Sequence, residues 1–539
     1  MTLRIKDVEI PVSEIPADSL VFDAVLKKLG LTHQDVAHLN IRKKSLDARR
    51  KARIVYHYQV DVDLVEGNDY SSFLGEGVEE VETMAAANPA EGLELGNKSF
   101  RLPPVIIGSG PAGIFAALSL VEAGQKCIIV ERGEPVEDRM RTVNKMRRSG
   151  EFTAESNYCF GEGGAGTFSD GKLTCGRNHP LVKYLFEQWV KFGAPKEILY
   201  DAHPHIGTDF LMRIALNMRS YLVERGVQFV FGRKFVDFET QASGSRYQVA
   251  LDDGTTLETD HLVLAIGHSA RDTYDMLLNR GLAMAPKPFA IGARFEHPQD
   301  DINRIQFGNC QLLPAAEYKL VAHAQDRGIW TFCMCPGGLL LPTNAQPDHL
   351  AINGMSYHAR NSGYANAAVV VNVLREDFYK GHVLDGVKFQ ENIERLAFKE
   401  GGGNYFSPAQ RMQDFMAGRQ SKGELKSTYK PGVTGARLDR VLPTFVVDAL
   451  RFAIVEYNKK MRGYISPEAM VVGVETKTSS PIVMMRDKSL QSVSHPGFFP
   501  CGEGAGFAGG IVSAALDGVR IGRAVLEDAI DNQFLASMH

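Results

Sequence analysis

The run Val105-Ile106-Ile107-Gly108-Ser109-Gly110-Pro111-Ala112-Gly113, followed by Glu131, admits few folds. Its three leading apolar residues make a short buried strand. Gly108 permits a tight turn, Gly110 lets the backbone approach a ligand with no Cβ in the way, and Gly113 lets the next helix pack close to the strand. That helix starts near Pro111. Ile114, Ala117, Leu118 and Val121 form its apolar stripe, and Gly124 is its stop signal. Residues 127–130 make a second strand, and Glu131 stands at its end, 18 residues beyond Gly113. Strand, glycine turn, helix, strand and acid compose the dinucleotide fingerprint of a Rossmann-type βαβ unit. The helix start aims unpaired N–H groups at a pyrophosphate, and Glu131 is placed to accept hydrogen bonds from a ribose. Pro111, Ala112 and Arg132 belong to the same expected contact set.

A chain of 539 residues, 44% of them hydrophobic, is long enough for two to four domains at roughly 150 residues each. With 60 Lys and Arg against 64 Asp and Glu, the net charge of −4 supplies no global field for nucleic acid or an anionic membrane. The seven cysteines form no C-x-x-C pair and no zinc spacing, which fits a reducing compartment. The first residues lack a signal-peptide core, and no run of about 20 apolar residues occurs. These features predict a cytoplasmic protein with no transmembrane segment and leave the oligomeric state open.

Residues 1–98 read as a small α+β domain and a linker. Strand-like pieces lie at 3–5, 8–10 and 52–62, with helical pieces at 19–29 and 32–37. A basic stretch carries Arg42, Lys43, Lys44, Arg49, Arg50, Lys51 and Arg53. It reads as an RNA or phosphate contact, or as a solvated loop and strand edge guarded by charge. Residues 69–98 are acidic and without period, as in a linker.

Residues 99–285 form the first part of the dinucleotide domain. They include the glycine-dense FGEGGAGTFSDGKL at 160–173, whose bare backbone suits a flat polar ligand. An amphipathic helix at 209–225 and strands at 227–231, 235–238, 247–251 and 256–257 follow. A buried strand then ends at Ala265-Ile266-Gly267. Residues 286–465 read as an inserted substrate domain, with strands at 289–295, 329–334 and 367–373 and helices at 390–398, 407–417 and 445–462. Residues 466–539 return to the first domain through Cys501-Gly502-Glu503, which opens a long helix at Gly509-Gly510-Ile511.

A flavin ring gains negative charge on reduction, and a helix start such as Gly509-Gly510-Ile511 stabilises it. Gly502-Glu503 would place a carboxylate at the ribityl hydroxyls or phosphates. On these residues the chain resembles the glutathione-reductase-like FAD fold. More narrowly it resembles the bacterial FAD-dependent dehydrogenases described as NAD(FAD)-utilising. Further motifs carry that likeness: HIGTD at 205–209, CMCPGG at 333–338, NGMS at 353–356, ETKTSSP at 475–481 and CGEGAGFAGGIVSAALDG at 501–518. The resemblance implies one non-covalent FAD, with Gly163, Gly164, Ala165, Gly166 and Thr167 beside the flavin and Phe235 near the adenine. The fold class is then α/β: a discontinuous Rossmann-type FAD-binding domain, an inserted α+β substrate domain and a small N-terminal α+β domain. No second fingerprint lies between Gly267 and Pro500, so there is no built-in NAD(P) domain, and NAD(P)H, if used, docks transiently. No C-x-x-x-x-C pair offers a dithiol relay.

The expected reaction is hydride transfer between flavin N5 and a small molecule. Arg294, on an apolar strand, wants a partner and could take a substrate carboxylate or a structural acid. Lys172 could steady a reduced flavin or lie at the surface, and His268 could exchange protons or serve packing; Arg360 is similar. Cys333 and Cys335 alternate on a strand and read as core thiols. His203 and His205 share a metal-ligand spacing but have no identifiable acidic or sulfur partner, so no metal is expected. The 475–480 cluster could line the substrate pocket or form a turn. The alternative function is an FAD-containing protein that binds or modifies RNA through its basic N-terminal domain.

Overall fold

The computed structural model describes residues 2–12, 18–65, 73–82, 100–174, 179–241, 245–310, 312–324 and 326–537. The fingerprint builds a five-stranded parallel sheet in the order Phe498–Pro500, Leu262–Leu264, Val105–Ile107, Ile128–Glu131, Gln228–Phe231. Successive strand residues face opposite ways. Ile106, Ile129 and Val263 pack under the helices Pro111–Glu122 and Ile511–Ser537. Val105, Ile107 and Val130 meet a meander of Phe235–Thr240, Tyr247–Leu251 and Thr256–Thr259 on the other face. A Cβ on Gly113 would stand 1.9 Å from the Gly108 carbonyl oxygen, so helix and turn touch backbone to backbone. All five strands point their C-terminal ends at one crevice, where open α/β sheets bind ligands.

The second sheet has seven strands, in the order Val321–Ala324, Arg327–Cys335, Tyr364–Val373, Phe289–Pro298, Met470–Glu475, Ser407–Arg411, Val433–Gly435. Met470–Glu475 pairs with Phe289–Pro298, so the inserted sheet runs past the expected boundary at 465. Its six residues are all buried, and the first five give a continuous run without a polar side chain, which does not distinguish one sheet from another. Residues 407–417, expected to be helical, split into the strand Ser407–Arg411 and the short helix Met412–Met416. Pairing on both sides of that strand overrides local preference.

In the N-terminal domain the pieces at 3–5 and 8–10 are one strand, Thr2–Pro11, with an irregularity between Ile5 and Val8. The expected helix at 32–37 is a single 3₁₀ turn, His33–Asp35, followed by the edge strand Val36–Asp47. Val78–Val81 of the presumed linker is a strand paired with Thr2–Pro11; residues 83–98 lie outside the described residues. The basic stretch falls on and after the edge strand. Arg42 meets Asp61 at 2.9 Å, Arg49 meets Asp47 at 2.5 Å and Arg53 meets Glu9 at 2.6 Å. The strand edge is met at one residue, where Lys44 N–H donates to Tyr200 O and Ala202 N–H to Lys44 O, both at 2.8 Å.

Candidate active site

The crevice opens into a cavity between the parallel sheet and the inserted domain. Gly108, Gly110, Pro111 and Ala112 line it from the fingerprint turn. Gly164, Ala165 and Gly166 line it from the glycine-dense loop, and Gly509, Gly510 and Ile511 from the closing helix. Ala265, Gly267, Arg132, Phe235 and Glu503 also reach it. The two glycine-bearing helix starts therefore converge on one space. No side chain caps the first turn of Pro111–Glu122 and no acid stands in it, so its N–H donors are left for an anion. A Cβ built on Gly509 or Gly510 meets nothing within 4 Å. This bare, donor-rich cradle suits the pyrophosphate and flavin of an FAD.

Four expected contact residues do not line the cavity. Gly113 packs on the Gly108 carbonyl, and Gly502 lies under Ala112, whose Cβ a side chain there would meet at 2.7 Å. Gly163 and Thr167 instead line a small adjoining recess with Trp189 and Met218.

Glu131 lines the cavity, and its carboxylate takes donors from the protein itself. Its Oε2 accepts from the Ser109 N–H at 3.0 Å and the Ser109 hydroxyl at 2.7 Å. Its Oε1 accepts from Gly133 N–H and Gly161 N–H, each at 3.0 Å. A carboxylate has about four acceptor positions, and all are engaged. The acid ties three loops together.

Sequence reasoning missed Arg139, on the helix Val136–Ser149. It is 0% exposed. Its Nε donates to Asn157 O at 2.9 Å, and Nη1 donates to the carbonyls of Gly161, Glu162 and Gly164 at 3.1, 2.6 and 2.9 Å. The guanidinium also stacks over Phe168, 4.8 Å from the ring centre. Burial pushes its pKa down to about 10, so it stays cationic at neutral pH. One side chain thus fixes the backbone of the glycine-dense loop. Basic residues are common along this helix, and nothing in its local sequence separates Arg139 from Arg141 or Arg147.

The proposed catalytic residues part company. Lys172 and His268 line the cavity, and Arg294 does not. Lys172 Nζ lies 3.1 Å from Asp170 and 3.2 Å from Glu317. Burial raises the Asp170 pKa, but Lys172 and Arg360 outweigh it and hold the carboxyl well below its usual range. Arg360 is bound to Asp170 at 2.7 Å. His268 Nδ1 stands 3.3 Å from Glu503 Oε1, and its Nε2 is buried with no partner among the described residues. Arg294 is fully buried beneath the cavity wall. It pairs with Glu475 at 2.8 Å and donates to Cys333 O at 2.8 Å, to Asn366 Oδ1 at 3.1 Å and to Asn353 Oδ1. It is a positioning residue, since Cys333 and Asn353 are themselves cavity residues.

Cys335 is buried, as expected of a core thiol, whereas Cys333 is exposed. Strand pairing shifts register between Phe332 and Cys335, and Cys333 takes φ +41°. This bulge turns both residues toward the cavity. Burial pushes the Cys335 thiol up to about 12. Lys477 and Thr478 of the polar cluster reach the same wall. Lys477 Nζ is held by Thr343 O at 2.7 Å and by Ser269 Oγ at 3.3 Å. Among the described residues no group of three His, Cys, Asp or Glu could hold a metal ion.

The two histidines weighed as metal ligands have other contacts. His203 pairs with Glu317, and His205 stacks on His358 with ring centres 5.0 Å apart. Burial, with Arg360 nearby, pushes His205 down to about 4, and burial does the same to His297. The unfolded chain binds these protons at about pH 6.5, so it holds more of them between pH 6.5 and 4. Stability is then full above pH 6.5 and falls as pH drops through that window. The melting temperature should decline from pH 7 to 4, and His205→Phe should flatten part of that slope. A variant with the parental slope would remove His205 from the account.

The fold and cavity define a flavoprotein with FAD as cofactor, and sequence comparisons agree. Residues 104–140 match the FAD binding domain family, and residues 288–478 match the family described as FAD-dependent protein, C-terminal domain-like. Residues 2–63 match a domain of unknown function (DUF8436). An uncharacterized protein of Clostridium beijerinckii is 40% identical over 538 residues, covering 98% of this chain and 99% of that one. The chain belongs to one family with that protein. A menaquinone reductase of Mycolicibacterium smegmatis is 27% identical over 190 residues, 33% of this chain and 40% of that one. Among solved structures, glycine oxidase from Geobacillus kaustophilus aligns over 80% of this chain and 95% of its own, with 10% identity and a TM-score of 0.36. No helix among the described residues is long and apolar enough to cross a membrane.

Proposed function

We propose that the chain is an FAD-dependent oxidoreductase that transfers a hydride between flavin N5 and a small molecule held against the inserted domain. One observation carries this reading. A single cavity has the FAD-binding residues on one side and Phe332, Cys333, Asn353 and Thr478 of the inserted domain on the other. Bound FAD supplies a two-electron acceptor. The glycine cradle would hold its pyrophosphate and ring, and Phe235 would border the adenine. Phe332 and the buried strand behind it would keep water from the reacting face. His268 would hold or release a proton at Nε2, with Glu503 orienting the ring through Nδ1. Lys172 would set a positive charge at the cavity edge. The paired arginines of the basic stretch support a charge-guarded strand edge over an RNA contact. The lack of a second fingerprint supports a nicotinamide that docks and leaves, as in the NAD(FAD)-utilising dehydrogenases the chain resembles.

Anaerobic mixing of the yellow protein with NADH, NADPH and a metabolite panel tests this. The expected result is rapid loss of flavin colour with at least one donor. A flavin that dithionite bleaches while every member of the panel leaves it oxidised would overturn the proposal.

A further inference from the structure

The inserted-domain wall of the cavity presents donors. Asn353 lies at the start of the turn-side of strand Ile352–Met355, and its Oδ1 accepts from Arg294 Nη2 and, at 2.7 Å, from Gly354 N–H. A guanidinium only donates, so the amide oxygen must face inward. The amide NH₂ is then turned away from Arg294, and Asn353 lines the cavity. Arg294 cannot release it cheaply, because Glu475, Cys333 O and Asn366 hold the guanidinium in a site with 0% exposure. Gly354 keeps that site open, since a Cβ there would stand 2.7 Å from Arg294 Nη1.

The acceptors on this wall, and Asp170 of the facing glycine-dense loop, are already engaged. Asp170 takes Lys172, Arg360 and Ser356. Cys333 O takes Arg294 and, at 3.3 Å, the Cys335 thiol. The Thr478 hydroxyl donates to Ala290 O at 2.6 Å. Lys172 uses two of its three ammonium protons on Asp170 and Glu317. What remains is an amide donor held in fixed orientation and an ammonium proton.

We propose that the cavity binds the carboxylate, or another compact oxyanion, of the substrate here, with Asn353 of the inserted-domain wall as its specificity-determining donor and Lys172 of the glycine-dense loop as the charged donor. A neutral carbonyl needs one donor, whereas two donors with one positive charge complement a pair of anionic oxygens. This inference rests on the reading of the cavity as a flavin site with the second reactant on the inserted-domain side.

The test uses the full chain loaded with FAD. Sodium acetate, oxalate and benzoate are titrated at constant ionic strength, with benzylamine as a cationic control, and the flavin difference spectrum is read. A saturable change is expected with at least one carboxylate and none with benzylamine. Asn353→Asp keeps an inward oxygen for Arg294 but turns a negative charge to the cavity. It should weaken carboxylate binding at least tenfold and gain a response to benzylamine. Asn353→Leu should weaken the carboxylate without that gain, and both variants should retain one FAD. A yellow wild-type protein silent to all three carboxylates, or an Asn353→Asp variant that binds them as tightly as the parent, would overturn the proposal alone. Failure of the wild-type chain to take up FAD would overturn the flavin reading beneath it.

Discussion

Arg139→Met should yield a chain that is nearly colourless and melts well below the parent. Methionine fills much of the same volume but offers no donor. The carbonyls of Asn157, Gly161, Glu162 and Gly164 then lose their common partner in a dry interior. Gly161 O keeps the Gly164 N–H, and Glu162 O and Gly164 O keep the Thr167 hydroxyl and N–H, so Asn157 O alone is left unpaired, at about 1–3 kcal/mol. The weakened pairing of the other three carbonyls adds to this. The loop bearing those carbonyls also lines the FAD cavity, so cofactor retention should fall with stability. Thermal melts and flavin absorbance after gel filtration check both. A yellow variant with the parental melting temperature would show that the loop holds its shape without the arginine.

Gly113→Ala should be as damaging through a different cause. The added Cβ would stand 1.9 Å from the Gly108 oxygen and 3.1 Å from its carbonyl carbon, both backbone atoms. Relief requires the helix Pro111–Glu122 to move off the turn, and overpacking of this kind costs about 1–3 kcal/mol or more. The first-turn N–H groups would move with it, so FAD affinity should drop at least a hundredfold. Gly124→Ala is the control. That glycine has φ +76° with nothing within 4 Å of a built Cβ, so strain of about 1 kcal/mol should leave the cofactor in place. Equal loss of FAD in both variants would refute the close-packing argument.

What could be read from the sequence depended on range. The fingerprint lies within 27 residues, and its period, glycines and terminal acid fold locally into the unit they suggest. The strand Phe289–Pro298 and the helix Thr444–Lys460 were visible for the same reason. The job of Glu131 was not, because one of its donors, Gly161, lies 30 residues downstream on a separate loop. Arg294 announced its need for a partner by sitting among apolar neighbours, but Glu475 is 181 residues away. Its consequence, the orientation of Asn353, emerges only when three strands are brought together. Cys333 looked like a core thiol because alternation assumes a regular strand, and the bulge after Phe332 breaks that alternation. The strand Ser407–Arg411 was masked by helix-like spacing that its two sheet neighbours override.

The central claim is that the helix starts at Gly110 and Gly510 serve one cofactor in one cavity. Acid denaturation of the purified, FAD-reconstituted chain, followed by chromatographic assay of the released flavin, tests it most directly. The account predicts one FAD per chain, released intact into the supernatant, with Gly110→Val and Gly510→Val each lowering the ratio. A parent chain that carries no flavin after incubation with excess FAD would contradict it, as would a ratio that neither substitution changes.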